Sequence, residues 1–170
     1  MKEDNGSMAD HMRDAVMKLL DAYDARRRSD AEREQKAKED AARFLTDFAE
    51  LRRSVIRPVF EAAGAMLEER GHRYSIEEHE LVPGAGGSIQ EAGITMRIVP
   101  SGIKAPLHED RSSLSITTRH YNKTVWINSG EAQRSGGIAG AAGAFALDKV
   151  TRQLVEDEVI AFVARVVAAS

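Results

Sequence analysis

Between Asp24 and Arg43 the chain runs DARRRSDAEREQKAKEDAAR, with no large apolar side chain anywhere in it. Such a stretch cannot contribute to a hydrophobic core. Its spacing points to a solvated helix: Asp24 precedes Arg28, Glu32 precedes Lys36, Glu34 precedes Lys38 and Glu39 precedes Arg43. Each is an acid-then-base pair at i,i+4, worth about 0.2 to 0.5 kcal/mol on an exposed helix. The plainest reading is a charged helix face or a partly frayed extension; the alternative is an arm for an oligomer or a partner.

What precedes this interval favours the arm. Met12, Val16, Leu19 and Tyr23 recur at steps of four, three and four, one stripe of an amphipathic helix. Carried onward, the same steps land on Arg26, Asp30, Arg33, Ala37 and Asp40, so no continuous coiled-coil seam exists. A short apolar stripe beside a charged spacer cannot bury itself and needs a partner. Residues 1–7 contain no apolar signal core and end in a tag-like GS, so they are read as a disordered or tag-like start, with secretion not expected.

From Phe44 the pattern becomes that of a core-facing helix, with Phe44, Phe48, Leu51, Val55, Val59, Ala62 and Met66 on one stripe. Pro58 lies inside it, so the helix kinks there or a second helix starts near Arg57. Gly71 is a natural C-terminal stop. Beyond it the period shortens to two: Tyr74 and Ile76, then Ile94, Met96 and Ile98, read as strands on either side of the loop VPGAGGSIQEAG.

SSLSITTRHYNKTVWIN, from Ser112 to Asn128, reads as a hairpin. A two-residue turn at Asn122 and Lys123 pairs Tyr121 with Thr124, His120 with Val125 and Arg119 with Trp126. Leu114, Ile116, Thr118, His120, Val125 and Ile127 then share a core face; Ser115, Thr117, Arg119, Trp126 and Asn128 share the other. A final helix over about 148–168 carries Val155, Val159, Phe162 and Val166 inward. The expected fold is α+β: a long N-terminal helix, a four-stranded antiparallel meander and a C-terminal helix packed on one sheet face. Residues 8–43 form the charged helical extension and 44–170 a single α+β domain.

The glycine-rich run SGGIAGAAGAFALDKVT, residues 135–151, resembles a phosphate cradle only loosely. Gly137, Gly140 and Gly143 fit neither GxGxxG nor GxxxxGK[ST], and Asp148, placed as the helix cap, would repel an anion. The run is read as a connection, or as a final helix beginning near Ile138.

Catalytic and metal signatures are sparse. His11, His72, His79, His108 and His120 show no ligand spacing, and no metal or cofactor is expected. Glu78 and Glu80 read as a solvated strand end, and SGG at Ser135 lacks a base and an orienting acid. The chain has no cysteine, which removes disulfides and thiolate chemistry and fits a cytoplasmic setting. Its net charge of -3 makes nucleic acid an unexpected partner, and no apolar run approaches the roughly 20 residues that span a bilayer.

The polar sheet face remains. Trp126, the only tryptophan, beside Arg119 makes a cation–π pair flanked by Thr117 and Thr124, with Arg97 on a neighbouring strand. The plainer alternative buries Trp126 under the long helix or the glycine-rich loop. The expected function is a non-enzymatic protein-interaction or assembly module, a homo-oligomer using Met12, Val16, Leu19 and Tyr23, the polar sheet face, or both. The alternative is a small-molecule or phosphate-ester site, including a hydrolytic one, where the glycine-rich loops approach Arg111, Arg119 and His120.

Overall fold

A computed structural model describes residues 4–102, 112–130 and 140–168. Two compact units divide the chain, Met1–Asp40 and Ala41–Ser170, with the boundary inside helix α1 (Asp4–Leu51). The charged interval is helical throughout. Glu34 and Lys38 lie 3.0 Å apart, Asp30 and Arg33 3.8 Å, and Gln35 donates to Glu39 at 2.9 Å, all exposed. These contacts support the helix locally and are screened by salt. No helix among the described residues is long and apolar enough to cross a membrane.

In the second unit, α1 gives way to a π-helical turn at Arg52–Ile56, and α2 follows at Arg57–Glu69. The cause is Pro58, which has no N–H to give Ser54, so the turn widens and the Arg57 N–H reaches back to the Arg52 carbonyl. The extra residue rotates everything after it. Phe44, Phe48, Arg52 and Ile56 point inward, but the buried stripe then continues on Val59, Phe60 and Gly64. Ala62 and Met66, expected in the core on uninterrupted α-helical spacing, are exposed for that reason, Met66 by 64%. Gly71 ends α2 as expected: at φ +82° it closes a Schellman turn in which the His72 N–H bonds the Leu67 carbonyl and the Gly71 N–H that of Glu68.

The sheet has five antiparallel strands rather than four. β1 (Arg73–His79), β4 (Gly93–Val99), β5 (Ser112–Arg119), β6 (Thr124–Gly130) and β7 (Gly140–Ala146) lie in that order, a meander from one edge to the other. The short hairpin β2 (Val82–Pro83) and β3 (Ile89–Gln90) is inserted between β1 and β4. The added edge strand β7 is the part of the glycine-rich run read from sequence as a connection or helix start. Its register slips against β6 between Ile127 and Asn128, a bulge beside Gly143, which holds φ +126°. Residues 131–139, including Gly137, lie outside the described residues.

The β5–β6 register also differs from expectation: Arg119 pairs with Thr124, Thr118 with Val125 and Thr117 with Trp126. The connection is longer because the Asn122 carboxamide accepts from both the N–H and the hydroxyl of Thr124, and Lys123 turns left-handed at φ +54°. The shift is two residues, so the expected faces survive except for His120, which lies in the turn. Leu114, Ile116, Val125 and Ile127 are fully buried. They join Ile94, Met96 and the phenylalanines of α1 and α2 in one core. Helix α3 (Arg152–Ala168) closes this face with Val155, Val159, Phe162 and Val166. Its cap is Thr151, whose hydroxyl accepts the Leu154 N–H at 3.2 Å, not Asp148.

Candidate functional site

In the first unit the stripe stands open: Met12 is 64% exposed, Val16 46%, Leu19 70% and Tyr23 53%. Met8, Met17 and Leu20 are exposed with them, and the Arg27 guanidinium lies 5.9 Å from the Tyr23 ring centre. Met8, Met12, Val16, Leu19, Leu20 and Tyr23, each 46% or more exposed and on one side of the helix, amount to roughly 600 Å², at the top of the range for the largest patch on a monomer.

In the second unit the polar sheet face assembles most of the expected set. Thr117 opposes Trp126 and Arg119 opposes Thr124 directly across the β5–β6 ladder. The Arg119 guanidinium lies diagonally over the indole, 3.6 Å from its centre, and also donates to the Tyr121 hydroxyl at 3.0 Å. Arg97 is not part of this group. It sits four residues from Gly93, the residue in register with Thr117, hence about 13 Å away along the strand. There it reaches Glu77 at 3.5 Å while its buried Nε finds no partner among the described residues. His79 covers the far end of the Trp126 row: a Cβ on Gly93 would lie 2.9 Å from its Nε2.

Two polar clusters were not foreseen. Arg52, nearly buried, donates to the carbonyls of His79 at 3.0 Å and Gly93 at 3.4 Å, ion-pairs with Glu80, and lies 3.9 Å from Glu78. Arg57 donates to Glu78 and Glu61, and these bonds, led by Glu78, raise the guanidinium pKa further, so it stays charged at every working pH. The depression lined by Glu50, Arg53, Arg57 and Glu78 is therefore a balanced network of ion pairs on an open surface. The only sequence signal was a charged residue at the step-of-four position between Phe48 and Ile56.

In the second cluster the Glu91 carboxylate accepts from the Thr118 hydroxyl at 2.9 Å, the His120 N–H at 3.2 Å and His120 Nδ1 at 2.6 Å. The Thr118 N–H bonds the Ala92 carbonyl at 2.8 Å beside it. A carboxylate holding an imidazole by Nδ1 is the orienting half of a general base, but no hydroxyl among the described residues bonds that ring, and the Thr118 hydroxyl is turned to Glu91. The cluster works as a clasp joining the β5–β6 turn to the segment before β4. Glu91→Ala is expected to cost about 1.5 kcal/mol through the two His120 donors it strands, the Thr118 hydroxyl keeping the Ala92 carbonyl at 3.2 Å as its acceptor. Urea unfolding measures that loss, and an imidazole proton on Nδ1 in nitrogen-15 NMR reports the clasp; a change under 0.5 kcal/mol contradicts it.

The remaining histidines are dispersed. His72 Nδ1 accepts the Ser101 N–H at 3.0 Å, His11 lies on α1 and His108 is outside the described residues. No group of three metal-ligating side chains occurs among the described residues. Of the residues proposed around a phosphate-ester site, Arg111 is outside the described residues, while Arg119 and His120 are engaged as above. No family model, curated protein or solved structure matches the chain, so geometry alone carries the functional reading.

Proposed function

We propose that the chain is a non-enzymatic, cytoplasmic assembly module that self-associates through Met12, Val16, Leu19 and Tyr23. The observation that carries this is the exposed apolar stripe, on a segment whose neighbours offer it nothing to pack against. Its area approaches the roughly 800 Å² per partner of a standard stable interface. A lipid surface fits it poorly. The other side of the same segment presents Asp10, Asp14, Asp21 and Asp24 against Lys18, whereas helices that lie on anionic membranes present lysine and arginine.

The Trp126–Arg119 face is the second contact this reading offers, because a half-buried Arg–Trp stack, which a partner would desolvate, has the composition of a binding hot spot. The small-molecule alternative draws no comparable support.

Leu19→Ser in the full-length chain should weaken self-association about thirtyfold, since the lost apolar contact counts once on each copy. Sedimentation equilibrium across micromolar to millimolar concentration measures this, with circular dichroism to confirm that helix content is kept. A wild-type chain that stays monomeric across that range refutes the proposal.

A further inference from the structure

We propose that the stripe pairs with the same stripe of a second copy in antiparallel orientation, centred between Val16 and Leu19; this rests on the assembly reading above. The area argument says that a second copy suffices, and the residues themselves select its direction.

The first argument is volume. In the antiparallel register, Val16 faces Leu19 of the second copy and Met12 faces Tyr23 of the second copy, with both pairs repeated by the two-fold axis. Every layer then holds two side chains of comparable summed size, which suits helices at a near-constant separation of about 8 to 10 Å. A parallel, in-register pair sets Ala9 on Ala9, Val16 on Val16 and Tyr23 on Tyr23, so the gap would have to widen along the seam. On the antiparallel flanks Ala15 meets Ala22 and the aliphatic stem of Arg13 lies over Leu20, both tolerant contacts.

The second argument is charge. Beyond Tyr23 the seam positions are Arg26, Asp30, Arg33, Ala37 and Asp40, four of the five charged. A parallel pair confronts each of these four charges with its own copy, like charge on like charge at the core positions of the seam. The antiparallel register carries the two charged segments past opposite ends of the overlap. None of the four then meets its counterpart, and Arg26 faces Ala9. The charged interval thus disfavours the parallel alternative while leaving the apolar overlap intact.

The absence of native cysteine makes the test direct. Full-length Met12→Cys and Tyr23→Cys proteins are mixed in equal amounts, allowed to exchange, and oxidised in a glutathione buffer. A disulfide needs Cα atoms within about 7 Å, whereas the two Tyr23 positions of an antiparallel pair lie about 16 Å apart. The expected result is a mixed disulfide exceeding either homodisulfide at least tenfold by mass spectrometry. Predominant homodisulfides overturn the orientation while leaving self-association standing.

Ala15→Cys mixed with Ala22→Cys gives the same discrimination with the large seam residues in place. If neither mixture cross-links while the wild-type chain is dimeric by light scattering, the stripe is not the interface and both readings fall. A monomeric wild type removes the assembly reading itself.

Discussion

Replacing Arg52 with alanine is expected to lower unfolding free energy by about 3 kcal/mol, and replacing it with lysine by more than half as much. The guanidinium is nearly buried and serves four acceptors at once: two backbone carbonyls, on His79 and Gly93, and the carboxylates of Glu78 and Glu80. Its removal strands the carbonyls under the π-helical turn, where the cost of an unsatisfied buried acceptor is about 1 to 3 kcal/mol. The carboxylates soften the loss: Glu80 is 68% exposed and rehydrates, so the effect falls at the low end of the range for a broken buried pair. Lysine keeps the charge but lacks the planar fork that spans His79, Gly93 and Glu80 together. Urea unfolding of the three proteins measures the series. A lysine variant as stable as the native chain would show that charge alone suffices and that the fork geometry contributes nothing.

How the sequence showed some of this and hid the rest follows from what leaves a periodic trace. The apolar stripe, the charged interval and the faces of β4, β5 and β6 were legible because large apolar and charged side chains alternate with a clear period. β7 left no such trace. Of Gly140–Ala146 only Phe145 is large, and glycine and alanine cannot distinguish a strand from a loop or a helix. The π-helical turn was half legible. Pro58 marked the break, but nothing local specified one extra residue rather than a kink, and that residue is what moves Met66 from core to surface. At the polar sheet face, tryptophan and arginine drew attention by type and the stack is present at 3.6 Å. Its direct cross-strand partner was misassigned because register depends on turn length, which Asn122 and Lys123 alone do not fix. Arg52 and Glu91 were missed since their partners are distant in sequence, Glu91 bonding residues 27 and 29 positions away.

Gly64→Val is expected to cost about 4 kcal/mol and Gly64→Ala about half of that, against the gain of about 1 kcal/mol that alanine ordinarily brings to a helix interior. The reason lies across the helix–sheet interface. A Cβ on Gly64 would fall inside the van der Waals envelope of the Tyr74 ring, which lies on the α2 backbone, and half-buried Tyr74 is itself packed against the core. The ring cannot swing away without opening the junction between α2 and β1, while a valine adds two methyl groups and the χ1 restriction of a β-branched residue. The same reasoning predicts a rescue. In a Tyr74→Ala background the space occupied by the ring is vacant, so Gly64→Ala becomes neutral or stabilising there, and the double-mutant cycle gives a coupling of about 2 kcal/mol. Thermal unfolding of the four proteins reads this out, with Gly64→Val lowering the midpoint by about 10 °C for a chain of this size. If Gly64→Ala destabilises equally with and without the Tyr74 ring, close approach to that ring is not what requires glycine at position 64.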